Sequence, residues 1–259
     1  MTSKVEKQRE HFNSIAKQYL KGKEDPRFLK LQSLIWSRVI KSLPEELANK
    51  RISVLEPMCG YTEGLKVLSR TELDIQYNGF DYSEEIVNHL NATSPELNVF
   101  HGDVTKFEPK EKYDVIILIG GLHHIPNFAG QAVQNLSRCL NPNGVFINLE
   151  PTHGNPLSKS IREYIYKKNE IFDHDTERDF SVRELESFFE EAGLENQLKF
   201  YPGLLAYVLY YNPYAFPLLN KGSEKTVETI FNCEKVFYES FIGRALSFCT
   251  LTVWRKPVE

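Results

Sequence analysis

The sequence predicts an α/β domain with a doubly wound, mostly parallel sheet. Five short apolar runs between residues 52 and 149 alternate with amphipathic segments, which is the pattern of strands joined by helical crossovers. The run at 113–119, YDVIILI, is apolar almost throughout, as is typical of a central parallel strand buried on both faces. Residues 246–255 alternate with period two and indicate a last strand, which we expect to be antiparallel.

Each element follows from the spacing of its apolar residues or from its capping residues. Residues 3–21 and 27–43 each place apolar side chains on one helical face. Ser83, followed by Glu84 and Glu85, predicts a helix start because a hydroxyl and acidic groups stabilise a helix N-terminus. The strands are predicted at 52–55, 75–80, 97–101, 113–119 and 145–149, and the helices between them at 62–69, 83–90 and 126–140, with a turn at 141–144.

The regular alternation ends after residue 150. Residues 155–173 and 224–240 have helical patterns. Residues 180–192 predict another helix, with Ser181 as its N-cap and Gly193 just after its end. The remaining predictions are a strand that begins at 198–201 and an aromatic-rich segment without regular structure at 204–222.

Composition narrows the function classes. The 259 residues carry a net charge of −4 with a pI near 6.0, whereas a nucleic-acid-binding protein usually shows a basic balance. The chain has no apolar run of about 18 residues, and its charged N-terminus lacks the apolar region of a secretion signal. The four cysteines form no CxxC pair, so we expect reduced thiols, a cytoplasmic location, and no metal, membrane or nucleic-acid partner.

Acidic residues and glycines follow four successive strands of the predicted sheet. They are Glu56, Asp81, Asp103 and the pair Gly120 and Gly121. Ligands of open α/β sheets bind at the carboxyl ends of the strands. There, Asp81 can accept hydrogen bonds from both hydroxyls of a ribose, and Asp103 from an adenine amino group. The alternative is that each carboxylate only caps its own turn.

These segments resemble the motifs of the class I S-adenosylmethionine-dependent methyltransferases of the small-molecule type. The resemblance covers roughly residues 9–195. Each motif alone is weak evidence, but their order and spacing together are specific. VLEPMCGYTEG resembles the cofactor-loop motif, NGFDYSEEIV the ribose motif, HGDVTKF the adenine motif, YDVIILIGGLHHIP and NPNGVFINLEPT the fourth and fifth strands, ERDFSVRELESFFEEAGL the helix that follows, and HFNSIAKQY the N-terminal lid helix.

The resemblance implies a fold, a cofactor and a set of contacts. The fold would be a Rossmann-like three-layer α/β/α sandwich whose seven-stranded sheet ends in an antiparallel strand, with helical lid insertions. S-adenosylmethionine would be the cofactor and S-adenosylhomocysteine the product. The implied cofactor-binding residues are Tyr19, Glu56, Pro57, Met58, Gly60, Asp81, Tyr82, Asp103, Val104, Ile119 and Gly120.

The cofactor loop departs from the family pattern, which is acidic-x-Gly-x-Gly-x-Gly. Met58 stands in place of the first glycine and Thr62 in place of the third, and only Gly60 keeps its register. This departure leaves open a second interpretation, a catalytically silent protein that binds an adenosyl group.

Three histidines are candidate catalytic bases, because a hydroxyl acceptor must lose a proton during methylation. His123 and His124 follow the fourth strand and His153 follows the fifth. LHH is also common in the family whatever the acceptor, so a structural role stays open. An amine acceptor that is already neutral would need no base.

The rest of the chain is expected to select the acceptor. We predict a single domain, 1–259, with lid helices at 1–48, a cofactor-binding core at 49–152 and acceptor-side insertions at 153–180 and 204–240. The aromatic side chains of the insertions would line an acceptor pocket, form a homodimer interface or fill a small core. The candidate acceptor-binding residues are Phe12, His124, Tyr164 and Tyr207.

The predicted function is therefore methyl transfer from S-adenosylmethionine to an oxygen or nitrogen of a small molecule. A nicotinamide-dependent oxidoreductase is disfavoured because the first loop lacks GxGxxG. A methyltransferase acting on protein or RNA is disfavoured by the acidic balance.

Overall fold

An eight-stranded sheet forms the centre of the molecule. The computed structural model describes residues 21–47, 50–108, 111–168, 178–213 and 216–258. The predicted first helix, which carries Phe12 and Tyr19, lies outside these ranges except for its last residue. The strands are β1 (Ile52–Pro57), β2 (Ile75–Asp81), β3 (Asn98–His101), β4 (Tyr113–Ile119), β5 (Leu140–His153), β6 (Phe180–Ser181), β7 (Glu195–Phe200) and β8 (Cys249–Arg255).

The strand order confirms the predicted fold class. Seven strands follow the order β3-β2-β1-β4-β5-β8-β7, and the two-residue β6 pairs with the end of β5. β1 to β5 are parallel to one another, whereas β8 is antiparallel to both β5 and β7. The order in which strands are added to the sheet reverses between the parallel neighbours β1 and β4. The carboxyl ends of these two strands therefore flank the crevice in which open α/β sheets bind ligands.

Helices cover both faces of the sheet. On one face, Phe28, Leu31 and Val67 belong to a buried cluster with Val54 and Ile117 of the strands. On the other face, the helices contribute Val133, Leu136, Leu185 and Phe189 to a second buried cluster. The described helices are α1 (Pro26–Lys41), α2 (Glu63–Leu68), α3 (Glu84–Thr93), α4 (Ala129–Ser137), α5 (Pro156–Lys168), α6 (Val182–Glu191), α7 (Leu205–Tyr210), α8 (Glu224–Glu234) and α9 (Phe241–Leu246).

Capping residues set several of these helix starts. The side chain of Ser83 accepts a hydrogen bond from Ile86 N at 3.4 Å, and that of Ser181 accepts one from Glu184 N at 3.1 Å, as the sequence predicts. Asp25 accepts one from Arg27 N at 2.8 Å and so starts α1. The backbone N–H groups of a first helical turn have no intrahelical acceptor, so each cap supplies one.

β5 is longer than predicted at both ends. The predicted turn at 141–144 lies within the strand, although Asn143 has a φ of 63° and the register with β4 shifts between Tyr113 and Val115. The other end reaches His153 because β8 and β6 both pair with it there. The helix predicted at 126–140 is correspondingly shorter, spanning Ala129–Ser137.

Two short helices are absent from the sequence prediction. α7 lies in the segment predicted to be irregular, and α9 follows a 3₁₀ turn at Lys235–Phe237 inside the helix predicted at 224–240. That helix ends at Glu234, whose carboxylate accepts a hydrogen bond from the hydroxyl of Tyr238 at 2.7 Å. The structure describes the helix predicted at 155–173 as far as Lys168. None of the described helices combines the length and apolarity that a bilayer crossing requires.

Candidate active site

The loop after β1 is built from alternating left-handed residues. Met58, Gly60 and Thr62 have φ values of 52°, 49° and 59°. These are the three positions at which the family that the sequence resembles carries glycine, and glycine adopts this conformation without strain. In this chain Met58 and Thr62 adopt it with a side chain, at a cost of about 1–2 kcal/mol per residue. The departure from the glycine pattern therefore keeps the geometry of the loop and strains its backbone.

Glu56 fixes the end of this loop through hydrogen bonds. Its carboxylate accepts hydrogen bonds from Gly64 N at 2.7 Å, Leu65 N at 3.0 Å and the hydroxyl of Tyr77 at 2.9 Å. A Cβ at Gly64 would lie 2.8 Å from Ile117 and 2.9 Å from Glu56. Only glycine therefore lets the first turn of α2 approach the strands. Glu56 therefore orders two backbone amides at the start of α2, and its contact with the cofactor stays a prediction.

Asp81 joins the loop to the end of β2. One carboxylate oxygen accepts a hydrogen bond from Gly60 N at 2.9 Å, and the other accepts one from Ser83 N at 2.9 Å. Burial raises the pKa of Asp81, and the nearby His124 acts in the opposite direction. Each carboxylate oxygen has two lone pairs, so both retain acceptor capacity for a pair of hydroxyl groups.

The described residues leave the space above the loop open. Among them, a Cβ at Gly60 would meet no atom within 4 Å, and a Cβ at Gly120, with a φ of 62°, would meet only Cε1 of His123, at 3.7 Å. These two backbone surfaces border the crevice between the carboxyl ends of β1 and β4. Together with Asp81 they form a cradle whose donors and acceptors fit an adenosyl cofactor.

Glu150 has a central role that the sequence did not reveal. Its side chain is fully buried, and it accepts hydrogen bonds from Gly121 N at 2.9 Å and Leu122 N at 2.8 Å. It also accepts from His123 N at 3.3 Å and bonds Nδ1 of the same residue at 2.9 Å. It therefore fixes the turn after Gly120. An acidic residue at the end of a buried strand, as at Glu56, is the signal that would have pointed to it.

Comparison with known proteins decides the family. The family described as "Methyltransferase domain" matches residues 28–199, which contain the cradle, Glu56 and Glu150. The chain belongs to this methyltransferase-domain family. Membership confirms the predicted family and its cofactor, S-adenosylmethionine.

Individual relatives of this methyltransferase domain are distant. A protein of Mycolicibacterium smegmatis named "Probable S-adenosylmethionine-dependent methyltransferase" is 29% identical over 119 residues, which span 45% of this chain and 45% of that protein. The cyclopropane synthase MmaA2 of Mycobacterium tuberculosis has a TM-score of 0.59 at 15% identity, covering 86% of this chain and 83% of that one. A phosphoethanolamine N-methyltransferase of Haemonchus contortus, in complex with S-adenosylhomocysteine, has a TM-score of 0.55 at 15% identity, covering 86% and 53%. At these identities, the solved structures show a shared fold.

The other residues predicted to contact the cofactor differ in what surrounds their side chains. The carboxylate of Asp103 accepts two hydrogen bonds from Thr105, one from its backbone N at 2.9 Å and one from its side-chain hydroxyl at 2.7 Å. Its carboxylate therefore closes its own turn, and the adenine contact stays a prediction. Val104 is buried in the second cluster, while the ring of Tyr82 lies against that of His101 at 5.9 Å. Ile119 is partly exposed and packs on the first cluster.

His153 pairs with an acidic residue that the sequence did not mark. Its Nδ1 lies 2.9 Å from a carboxylate oxygen of Asp179, and Nε of Arg162 lies 3.1 Å from the same oxygen. Asp179 and Arg162 are both buried. The three predicted bases therefore differ in their surroundings, since His123 pairs with Glu150 and its ring lies tilted against that of His124, with ring centroids 4.0 Å apart.

The aromatic segment at 203–211, which we call the crossing segment, spans the carboxyl edge of the sheet. At one end, Gly203 bonds to the backbone of Phe248 at 2.8 Å, just before β8. At the other end, the hydroxyl of Tyr211 donates to Glu63, the first residue of α2, at 3.3 Å. The ring of Tyr207 stacks on that of Tyr211 at 4.5 Å. Tyr164 lies elsewhere, on α5, and its side chain is exposed.

Glu63 also ties the loop to the beginning of the described chain. Nζ of Lys23 lies 2.8 Å from its carboxylate, and the side-chain amide of Gln32 donates to it at 3.1 Å. Nζ of Lys23 sits 4.3 Å from the ring centroid of Phe28, and burial lowers the pKa of this lysine. Among the described residues, no group of three or more His, Cys, Asp or Glu side chains is arranged to hold a metal ion.

Gly60→Val tests the cradle directly. Because none of the described residues occupies the space above Gly60, the variant is expected to lose only about 1–2 kcal/mol of folding free energy through its left-handed φ. Its binding of S-adenosylhomocysteine should fall at least about 10-fold, since the side chain would fill the cradle. Thermal unfolding and isothermal calorimetry measure the two effects. Unchanged affinity would place the ligand away from Gly60.

The stability of the protein is expected to fall as the pH rises from 5 to 7 because of Glu56. Burial raises the pKa of Glu56 from 4.5 to about 7, so the folded state favours the protonated form more than the unfolded state does. The resulting stabilisation is complete below the pKa that Glu56 has in the unfolded state. It is lost as the pH rises, by about 2 kcal/mol between pH 5 and pH 7.

Glu56→Gln isolates this contribution because glutamine resembles the protonated acid and does not titrate. Urea unfolding at pH 5, 6 and 7 should give a steeper loss of stability for the wild type than for the variant. Parallel stability curves for the two proteins would show that Glu56 is ionised throughout, held so by its three hydrogen-bond donors.

Proposed function

We propose that this protein transfers the methyl group of S-adenosylmethionine to an oxygen or nitrogen of a small-molecule acceptor. The observation that carries the proposal is the crossing segment, which is anchored at both ends over the edge of the sheet where the cradle lies. Its Tyr207 stacks on the buried Tyr211, and the partly exposed ring of Tyr207 offers flat apolar surface to an acceptor. A segment that is anchored at both ends favours a small acceptor that fits beneath it, rather than an acceptor group on the surface of a macromolecule.

The cofactor supplies an electrophilic methyl group on a sulfonium. The residues of the protein have to hold the acceptor in line with this group, exclude water and receive a proton, and orientation alone supplies much of the acceleration. His123 and His124 follow β4, and His153 is the last residue of β5, at this same edge. Imidazole side chains at this place favour an acceptor atom that carries a proton, such as a hydroxyl oxygen or an amine nitrogen.

Other features support the narrower predictions. The net charge of −4 favours a small molecule over a nucleic acid as partner. All four cysteines are free thiols, which supports a reducing, cytoplasmic location. The division into lid, core and two insertions remains part of the proposal. A homodimer also remains part of it, since Leu157 and Phe241 offer exposed apolar side chains.

The experiment is a search for methyl acceptors with purified protein. S-adenosylmethionine labelled in its methyl group is incubated with phenols, carboxylic acids, primary amines and secondary amines, and release of S-adenosylhomocysteine is followed by mass spectrometry. A parallel incubation uses a cell lysate split by ultrafiltration into a small-molecule fraction and a macromolecular fraction. We expect label in the small-molecule fraction and turnover with at least one class of acceptor.

Each alternative function gives a different result. A silent adenosyl-binding protein would bind S-adenosylhomocysteine in calorimetry and release none from any incubation. A methyltransferase acting on protein or RNA would label the macromolecular fraction alone. Either result would overturn the proposed function. The Asp81 variants described below would serve as inactive controls in all incubations.

A further inference from the structure

We propose that His153 is the base that takes the proton of the acceptor, and that Asp179, fixed by Arg162, is the residue that positions it. The proposal rests on the proposed function, because it assigns a role within methyl transfer. Nδ1 of His153 lies 2.9 Å from Asp179, and Nε of Arg162 lies 3.1 Å from the same carboxylate oxygen. The three side chains form one line of contacts, which we call the His153 triad.

Four separate parts of the chain converge on the His153 triad. β6 pairs with the end of β5, with Thr152 opposite Phe180 and His153 opposite Ser181, and so brings the preceding Asp179 alongside the imidazole. Arg162 comes from α5 and donates to the backbone oxygens of Thr152 and Phe248. Phe248 also bonds to Gly203, where the crossing segment begins. The triad is therefore joined to the segment proposed to cover the acceptor.

Burial of the two charges argues for a purpose beyond stability. Arg162 is 9% exposed and Asp179 6% exposed. Taking an ion pair out of water costs several kcal/mol per ion, and the mutual attraction often does no more than balance this cost. The imidazole at the end of the triad keeps an accessible edge, with 16% of its side chain exposed. The interaction between Arg162 and Asp179 therefore serves to hold one partly exposed histidine in position.

The carboxylate next to His123 serves a different purpose. Glu150 accepts hydrogen bonds from the backbone amides of three consecutive residues, so closing a turn accounts for its burial without reference to the imidazole. Within the part of the chain that the structure describes, the Asp179 carboxylate forms a hydrogen bond with the His153 side chain and an ion pair with Arg162, and it accepts from no backbone amide. Among the described residues, the contacts of Asp179 therefore serve His153 and Arg162 and close no turn.

The contact with Asp179 determines which ring nitrogen can act as base. An ionised carboxylate is an acceptor only, so Nδ1 must carry the proton and donate it. Nε2 then keeps its lone pair. His153 Nε2 takes the proton of the acceptor hydroxyl, the oxygen electron pair forms the bond to the methyl carbon, and the electron pair of the broken carbon–sulfur bond stays on sulfur. Asp179 stabilises the imidazolium, which then loses its proton to water.

Nuclear magnetic resonance of the free protein tests the triad without any acceptor. Nitrogen shifts of uniformly ¹⁵N-labelled protein report the tautomer of each histidine, and the His153→Gln spectrum assigns the His153 signals. We expect His153 to carry its proton on Nδ1 in the wild type and to lose this preference in Asp179→Asn. Asp74→Asn is the matched control, because Asp74 forms an exposed pair with Arg51 at 3.8 Å. A wild-type tautomer protonated on Nε2, or no change in Asp179→Asn, would overturn the proposal.

Turnover provides the second test, with a phenol from the acceptor panel as the probe. His153→Gln and Asp179→Asn should lower kcat by about 100-fold or more and leave the Kd of S-adenosylhomocysteine within about 2-fold, which separates a base from a structural residue. Full turnover in His153→Gln would overturn the assignment. If the wild type methylates nothing, the proposed function fails, while the tautomer still decides whether Asp179 positions His153.

Discussion

Asp81→Ala is expected to weaken the binding of S-adenosylmethionine by about 1.5–3 kcal/mol, because a charge-assisted pair of hydrogen bonds to the ribose is lost. The structure adds a second reason. Asp81 holds Gly60 N at 2.9 Å, so its removal also releases the loop that forms the floor of the cradle. Since burial already raises the pKa of Asp81, a bound ligand that donates hydrogen bonds would compensate a carboxylate that is costly to keep ionised.

Calorimetry with S-adenosylhomocysteine measures this effect, and Asp81→Asn helps to separate its two causes. Asparagine retains one oxygen acceptor, so it should keep part of the contact with the loop and lose most of the contact with the ligand. Asp74→Ala is the matched control because its side chain is exposed, with 71% accessible, and should bind as the wild type does. Wild-type affinity in both Asp81 variants would remove this residue from the binding site.

The strands of the sheet were predictable because the signals of each strand are local. The apolar run of β4, the N-cap at Ser83 and the period-two pattern of β8 are each contained in a few consecutive residues. The helices α7 and α9 were missed because each has only six residues. A helix this short is marginal on its own and depends on tertiary contacts, such as those that bury Ala206 and Tyr210.

The site was predicted to the extent that strand register fixes it. Glu56 and Asp81 lie at the carboxyl ends of adjacent parallel strands, so their placement at one edge follows from the fold. The partners Glu150 and Asp179 were not predicted, because each meets its histidine across 27 and 26 residues of sequence. Arg162 was missed for the same reason, since only the packing of α5 brings it to Asp179. A sequence motif contains no information on such pairings.

Glu150→Ala is expected to lower the free energy of unfolding by about 3 kcal/mol or more. The carboxylate is fully buried, and its removal leaves the backbone amides of Gly121, Leu122 and His123 without their acceptor. Each buried donor left unpaired costs about 1–3 kcal/mol, less whatever water entering the space recovers. Chemical denaturation with urea gives the free energy directly. Glu96→Ala, at an exposed position on the chain before β3, should change it by no more than about 0.5 kcal/mol.

The same variant is also expected to bind S-adenosylhomocysteine more weakly, because the turn that Glu150 closes begins next to Gly120 on the border of the cradle. Glu150→Gln distinguishes the two consequences. Its amide oxygen can serve Gly121 and Leu122, while its NH₂ group faces the amide of His123, so its folding loss should be smaller than that of alanine. If Glu150→Gln unfolds as easily as Glu150→Ala, all of the acceptor sites of the carboxylate are required to close the turn. If neither variant loses stability, the turn is held by its own backbone, and Glu150 would instead be available to act on His123.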